Sequence, residues 1–138
     1  MSRYVIDTNV FIRRVVPPII ESVDAFFEQI TTADELFAPQ MLLPEYTSVL
    51  REQVSLKQIR DEVARQALQD ILEMPIRTIV ALGQFPRSFD LATQFQHQKA
   101  YDMQFVAVAE AESATIVTGD GGMRHAAEAI GVPVRFLR

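Results

Sequence analysis

Short apolar runs alternate with stretches of helical periodicity along the whole chain, and this alternation limits the fold more than any single residue does. Residues 3–6 form an apolar-rich strand ending at Asp7, after which Val10, Phe11, Val15 and Val16 recur at helical spacing until Pro17-Pro18 stops the pattern. Ile19, Val23, Phe26, Phe27 and Ile30 share a stripe that predicts a helix over 18–30. Leu36-Phe37-Ala38 reads as a brief strand, and helices follow over 40–54 and 56–72, able to pair as a hairpin. The β-branched run from Ile76 to Leu82 predicts a strand buried on both faces, followed by a helix over 86–97. A helix over 102–111, a strand over 115–118, a Gly-Asp-Gly-Gly turn, a helix to Ile130 and a strand over 132–136 complete the order. Strands and helices that alternate through short connections specify a parallel sheet covered on both faces. The expected fold is a three-layer α/β/α sandwich around about five parallel strands. The 138 residues, with no repeat or linker, are expected to form a single domain over 1–138.

Four acids stand at positions where a carboxylate is costly. Asp7 follows the first apolar strand and Asp120 lies two residues beyond the fourth, both at the strand ends where open parallel sheets bind ligands. Glu45 comes three residues after Leu42 and four before Val49, in line with an inward helix face, and Asp102 precedes Phe105, Val106 and Ala109 at the same spacings. Each has an ordinary structural reading: helix capping for Asp7 and Asp102, a turn for Asp120-Gly121, and a first-turn glutamate favoured by the helix dipole for Glu45. Taken together they are harder to explain that way, because burying even one unpaired carboxylate costs several kcal/mol and four would repel one another unless a cation neutralised them. All-oxygen ligands suit Mg²⁺ or Mn²⁺. With no Cys and only two His, zinc is disfavoured; His97 and His125 lack metal-ligand spacing and read as surface or partner-bonded residues.

A hydrophobic fraction of 49% without an apolar run near the roughly 18 residues of a membrane span predicts a soluble protein with no membrane partner. The absence of Cys and of an N-terminal signal pattern favours the cytoplasm. A formal net charge of -5 gives nucleic acid no global attraction, yet eleven of the thirteen basic residues are Arg, and cations held by the acids would reverse the local sign.

The segments Val5-Ile6-Asp7-Thr8-Asn9-Val10, Leu43-Pro44-Glu45-Tyr46, Tyr101-Asp102 leading into Phe105-Val106-Ala107-Val108-Ala109-Glu110, and Ile116-Val117-Thr118-Gly119-Asp120 resemble the motifs of PIN-domain nucleases. The likeness is greatest to the small VapC-like ribonuclease toxins of toxin-antitoxin pairs, and it extends over nearly the full chain. The resemblance implies that Asp7, Glu45, Asp102 and Asp120 bind Mg²⁺ or Mn²⁺ and are the catalytic acids, supported by Asn9 and Thr118. It implies hydrolysis of RNA phosphodiester bonds, in which the metal activates water and neutralises charge on phosphate oxygens. It also implies a homodimer and a cognate antitoxin whose segment fills the acidic groove. Some members carry a further acid after the last aspartate, where this chain has Gly121-Gly122-Met123-Arg124, and that puts a second metal site in question. Arg13, Arg14, Lys99 and Arg124 are the basic residues nearest the motifs and the candidates for RNA phosphate. Tyr46 and Tyr101 are candidates for stacking on a base or for packing.

Two other classes compete. A receiver-type or dehalogenase-type phosphotransfer domain also places Asp at a strand end, but the position two residues after Asp7 is Asn9 and Glu45 has no task there. A non-catalytic PIN-like scaffold that binds RNA or protein would have no need for four mutually repulsive acids.

Overall fold

The computed structural model describes residues 1–98 and 100–138. Its elements run β1 (Arg3–Ile6), α1 (Thr8–Ile12), α2 (Glu21–Gln29), β2 (Glu35–Pro39), α3 (Leu42–Ser55), α4 (Asp61–Glu73), β3 (Ile76–Ile79), α5 (Gln84–Gln94), α6 (Met103–Ala111), β4 (Thr115–Thr118), α7 (Gly121–Ala129) and β5 (Val134–Phe136). The five strands pair in the order β3-β2-β1-β4-β5, every pair parallel. The expected α/β architecture is present.

The chain leaves β1 toward β2 and β3, then crosses back to β4 on the other side of β1. Right-handed crossovers in opposite directions put α1–α4 on one face of the sheet and α5–α7 on the other. The helix contacts agree: α1 packs on α3 and α3 on α4, whereas α6 packs on both α5 and α7. The direction of winding reverses between β1 and β4, and a crevice opens there at the strands' carboxyl ends. Helix α6 is apolar all round because it is buried all round: Met103 and every residue from Phe105 to Ala109 lie in the core. It lies against β1, β2 and β4.

Three expectations change. The run from Ile76 to Leu82 forms only the four-residue β3, at the sheet edge, with Val80 and Leu82 exposed rather than buried on both faces. The helix expected from Leu56 begins at Asp61, because Leu56 ends α3 and Lys57 turns the chain with φ 58°. The first helix closes at Ile12, before Val15 and Val16, which nevertheless pack into or against the core.

Candidate active site

Asp7 stands where β1 becomes α1. Its main-chain N–H donates to Val117 O at 2.9 Å, extending the β1–β4 pairing by one residue, and its side chain is only 3% exposed. Asp7 Oδ1 accepts from the Asn9 N–H at 3.4 Å, a long capping bond, while Oδ2 accepts from the Thr118 hydroxyl at 3.0 Å. Burial pushes the Asp7 carboxyl up to about 7; the nearby charges of Asp102 and Asp120 raise it further, against the two hydrogen bonds that lower it.

Asp120 caps α7, its Oδ1 accepting from Met123 N–H at 2.8 Å, and its own N–H donates to Thr118 Oγ1 at 3.0 Å. Thr118 is fully buried and so joins the ends of β1 and β4 through one hydroxyl. Asp102 precedes α6 with helical dihedrals and makes no side-chain capping bond, contrary to its simplest structural reading, so its carboxylate is not committed to the helix. Loss of hydration raises its pKa, Asp120 adds to the rise, and His97 opposes it. Asp7, Asp102 and Asp120 are therefore within electrostatic reach of one another.

Glu45 sits half-buried in the first turn of α3, and α3 packs on α1 through Tyr46 and Phe11, whose ring centroids are 6.0 Å apart. It is not among the charges that shift Asp7 or Asp102. Tyr46 is buried in the core and unavailable to a base, whereas Tyr101, beside Asp102, is exposed. Asn9 is exposed at the start of α1 and lines a cavity next to Asp120.

The predicted basic residues diverge. Arg13 lines that same cavity. Arg14 is turned to Asp24, at 3.9 Å, and stacks 4.1 Å from the Phe27 ring. Arg124 pairs with Glu128 at 2.9 Å and lies over Phe136. Lys99 lies outside the described residues. One neighbour of the site escaped the sequence reading: a Cβ added to Gly122 would meet His97 Cε1 at 3.1 Å and Asp120 Oδ1 at 3.2 Å, so the imidazole and this carboxylate flank the same glycine. No local signal marks His97, because the packing of the segment after α5 against α7 brings it there.

Among the described residues, no three His, Asp or Glu side chains form a ready-made metal cage. The donor chemistry nevertheless suits a divalent cation. The acids offer oxygen alone, three of them raise or share one another's electrostatic cost, and the buried Thr8 hydroxyl beside Asp7 has no hydrogen-bond partner among the described residues.

A parallel sheet with carboxylates gathered at its switch point defines an α/β domain with an acidic cleft. The PIN-domain family model matches residues 4–129, and the chain belongs to that family, whose members are generally nucleases that use divalent metals. No curated protein matches the chain. Among solved structures, it resembles VapBC2 from Rickettsia felis bound to a DNA fragment from its promoter, with TM-score 0.69 and 15% identity over 99% of this chain and 100% of that one. FitAcB from Neisseria gonorrhoeae gives TM-score 0.65 and 19% identity over 95% of each chain. VapBC-1 from nontypeable Haemophilus influenzae gives TM-score 0.67 and 13% identity over 98% of each. At these identities the likeness is one of fold. Among the described residues no helix is long and apolar enough to cross a membrane.

Proposed function

We propose that the protein is a metal-dependent endoribonuclease and acts in the cytoplasm as the toxin of a VapBC-type pair. The observation that carries this reading is Asp7: a buried carboxyl at the β1–β4 switch point, raised by burial and by two further acids, in a chain of the PIN family. Asp7, Asp102 and Asp120, with Glu45 from α3, would hold Mg²⁺ or Mn²⁺. The bound ion would supply an activated water and neutralise charge on the phosphate.

The chain's own residues orient that site. Thr118 fixes the rotamer of Asp7 and the backbone of Asp120 with one hydroxyl. The α7 amide at Met123 holds Asp120 Oδ1, leaving Oδ2 unengaged by any hydrogen bond among the described residues. Exposed Tyr101 offers a ring to a base beside Asp102.

The antitoxin is supported by the neighbours' VapBC and FitAcB complexes. A homodimer is supported by α5, which turns Phe85 and Phe89 outward one helical turn apart, next to exposed Leu82 and Val80. The apolar helices over 19–30 and 42–72 pack most of their apolar residues into or against this chain's own core.

The experiment is incubation of a mixed cellular RNA pool with the purified protein in Mg²⁺ or Mn²⁺, with chelator, and with Asp120→Asn. Discrete cleavage that chelator and the substitution both abolish supports the reading. Cleavage that persists in Asp120→Asn contradicts it, and metal binding without cleavage of RNA, alongside tight RNA or protein binding, would favour the non-catalytic scaffold.

A further inference from the structure

Beside the acids, a cavity of about 360 Å³ opens between the start of α1, the start of α2 and the end of the chain. Ile20, Val23 and Leu137 give it an apolar wall, and Asn9, Arg13 and Arg138 give it polar groups, with Asp120 at its border. Both arginines are held in place. Arg13 Nη1 donates to Val16 O at 3.4 Å and to Pro17 O at 3.2 Å. Arg138 has its main-chain oxygen bonded by the Ser22 hydroxyl at 3.0 Å and its guanidinium stacked 4.8 Å from the Phe136 ring. Arg138 Nη2 reaches to 4.0 Å from the position a Cβ would take on Gly121, the residue after Asp120.

Six other arginines, namely Arg3, Arg14, Arg65, Arg77, Arg87 and Arg124, are paired with carboxylates. Arg13 and Arg138, like Arg51, Arg60 and Arg135, have none within 4.0 Å among the described residues, and of these five Arg13 and Arg138 line the cavity that borders Asp120. Two positioned guanidinium groups without a protein anion suit phosphate. An apolar wall of this extent suits a base, and an amide carries both donors and acceptors for a base edge. The cavity lies in the range of about 300 to 1,000 Å³ common for small-ligand sites.

We propose that this cavity is the subsite for the ribonucleotide flanking the scissile bond. Arg13 and Arg138 hold its phosphate, its base lies against Ile20, Val23 and Leu137, and Asn9 reads the base edge. The proposal rests on the ribonuclease reading and adds to it the residues that set nucleotide preference.

The test is titration of each of the four ribonucleoside monophosphates into the protein in Mg²⁺, followed through the methyl resonances of Ile20 and Val23. Arg138→Gln removes a cation from an exposed side chain, and Ile20→Phe fills the cavity from a half-buried position, so neither substitution threatens the core. The expected result is saturable binding with preference among the bases, weakened about tenfold or more by Arg138→Gln and lost in Ile20→Phe. Absence of a saturable shift at millimolar nucleotide, or equal affinity in the wild type and both variants, overturns the subsite. RNA cleavage is measured in parallel. Cleavage without nucleotide binding would remove the subsite and leave the nuclease, whereas binding lost in the variants without any RNA cleavage would remove the nuclease and with it the assignment to a scissile bond, leaving a nucleotide-binding cavity alone.

Discussion

The Thr118 hydroxyl donates to Asp7 Oδ2 at 3.0 Å across the β1–β4 pairing, and the same oxygen accepts the Asp120 N–H at 3.0 Å. One buried hydroxyl thus holds two of the candidate metal-binding acids in register. Thr118→Val keeps the shape and removes both bonds, leaving a main-chain N–H without its partner and Asp7 without its principal hydrogen-bond donor. The expected loss is about 1–3 kcal/mol in denaturant unfolding. Because the Thr118 bond lowers the Asp7 pKa, metal binding should also move to higher pH.

The pH dependence of the metal-free protein follows from Asp7. Its folded carboxyl titrates at about 7 against an ordinary 3.8, so between those values the folded state holds a proton that the unfolded state has lost. Stability is then highest below about pH 4 for this group, and is lost as pH rises toward 7. The span is a few kcal/mol, at most about 4. Asp7→Asn should abolish this component and stabilise the metal-free protein at pH 8, as read from denaturant midpoints across the range. An unchanged pH profile in the variant would contradict the burial argument. Mg²⁺ or Mn²⁺ should reverse the trend in the wild type alone, since the ion competes with the proton.

Gly122→Ala tests the placement of His97. The new Cβ would lie 3.1 Å from the imidazole and 3.2 Å from an Asp120 oxygen already held by Met123 N–H, so the imidazole is the group that must move. The His97 ring resonances should shift while global stability changes by less than about 1 kcal/mol. An undisturbed His97 would contradict the packing.

Phe89→Asp tests the α5 face. Phe89 is 68% exposed, so a charge there should leave the monomer's stability within about 0.5 kcal/mol while converting a dimer to a monomer in light scattering. A dimer that survives the substitution would place the interface elsewhere.

The sequence carries the local information well and the positional information poorly. The five strands and their helices are readable because period and length distinguish them, and Asp7 and Asp120 are readable because strand ends are sites in any parallel sheet. The fate of Ile76–Leu82 is not, because a β-branched run marks a strand without saying whether the strand order will leave it at the edge. The start of α4 is obscured by apolar Leu56 and Ile59, which continue the stripe through a turn. Arg14 and Arg124 adjoin the motifs in sequence, yet Arg14 lies in the turn after α1 and pairs with Asp24, and Arg124 pairs with Glu128 one helical turn on along α7. His97 and Arg138 reach the site through tertiary packing alone. Capping and metal binding also prove compatible readings of one residue, since Asp120 caps α7 with one oxygen and leaves the other unengaged among the described residues.

The most direct measurement is calorimetric titration of Mn²⁺ at pH 7 into the wild type, Asp7→Asn and Glu45→Gln. The wild type is expected to bind, Asp7→Asn to lose binding, and Glu45→Gln to bind at least about tenfold more weakly, since one fewer anionic ligand remains. A wild type that binds no Mn²⁺, or an Asp7→Asn protein that binds it as tightly as the wild type, would contradict the claim that these acids form a metal site.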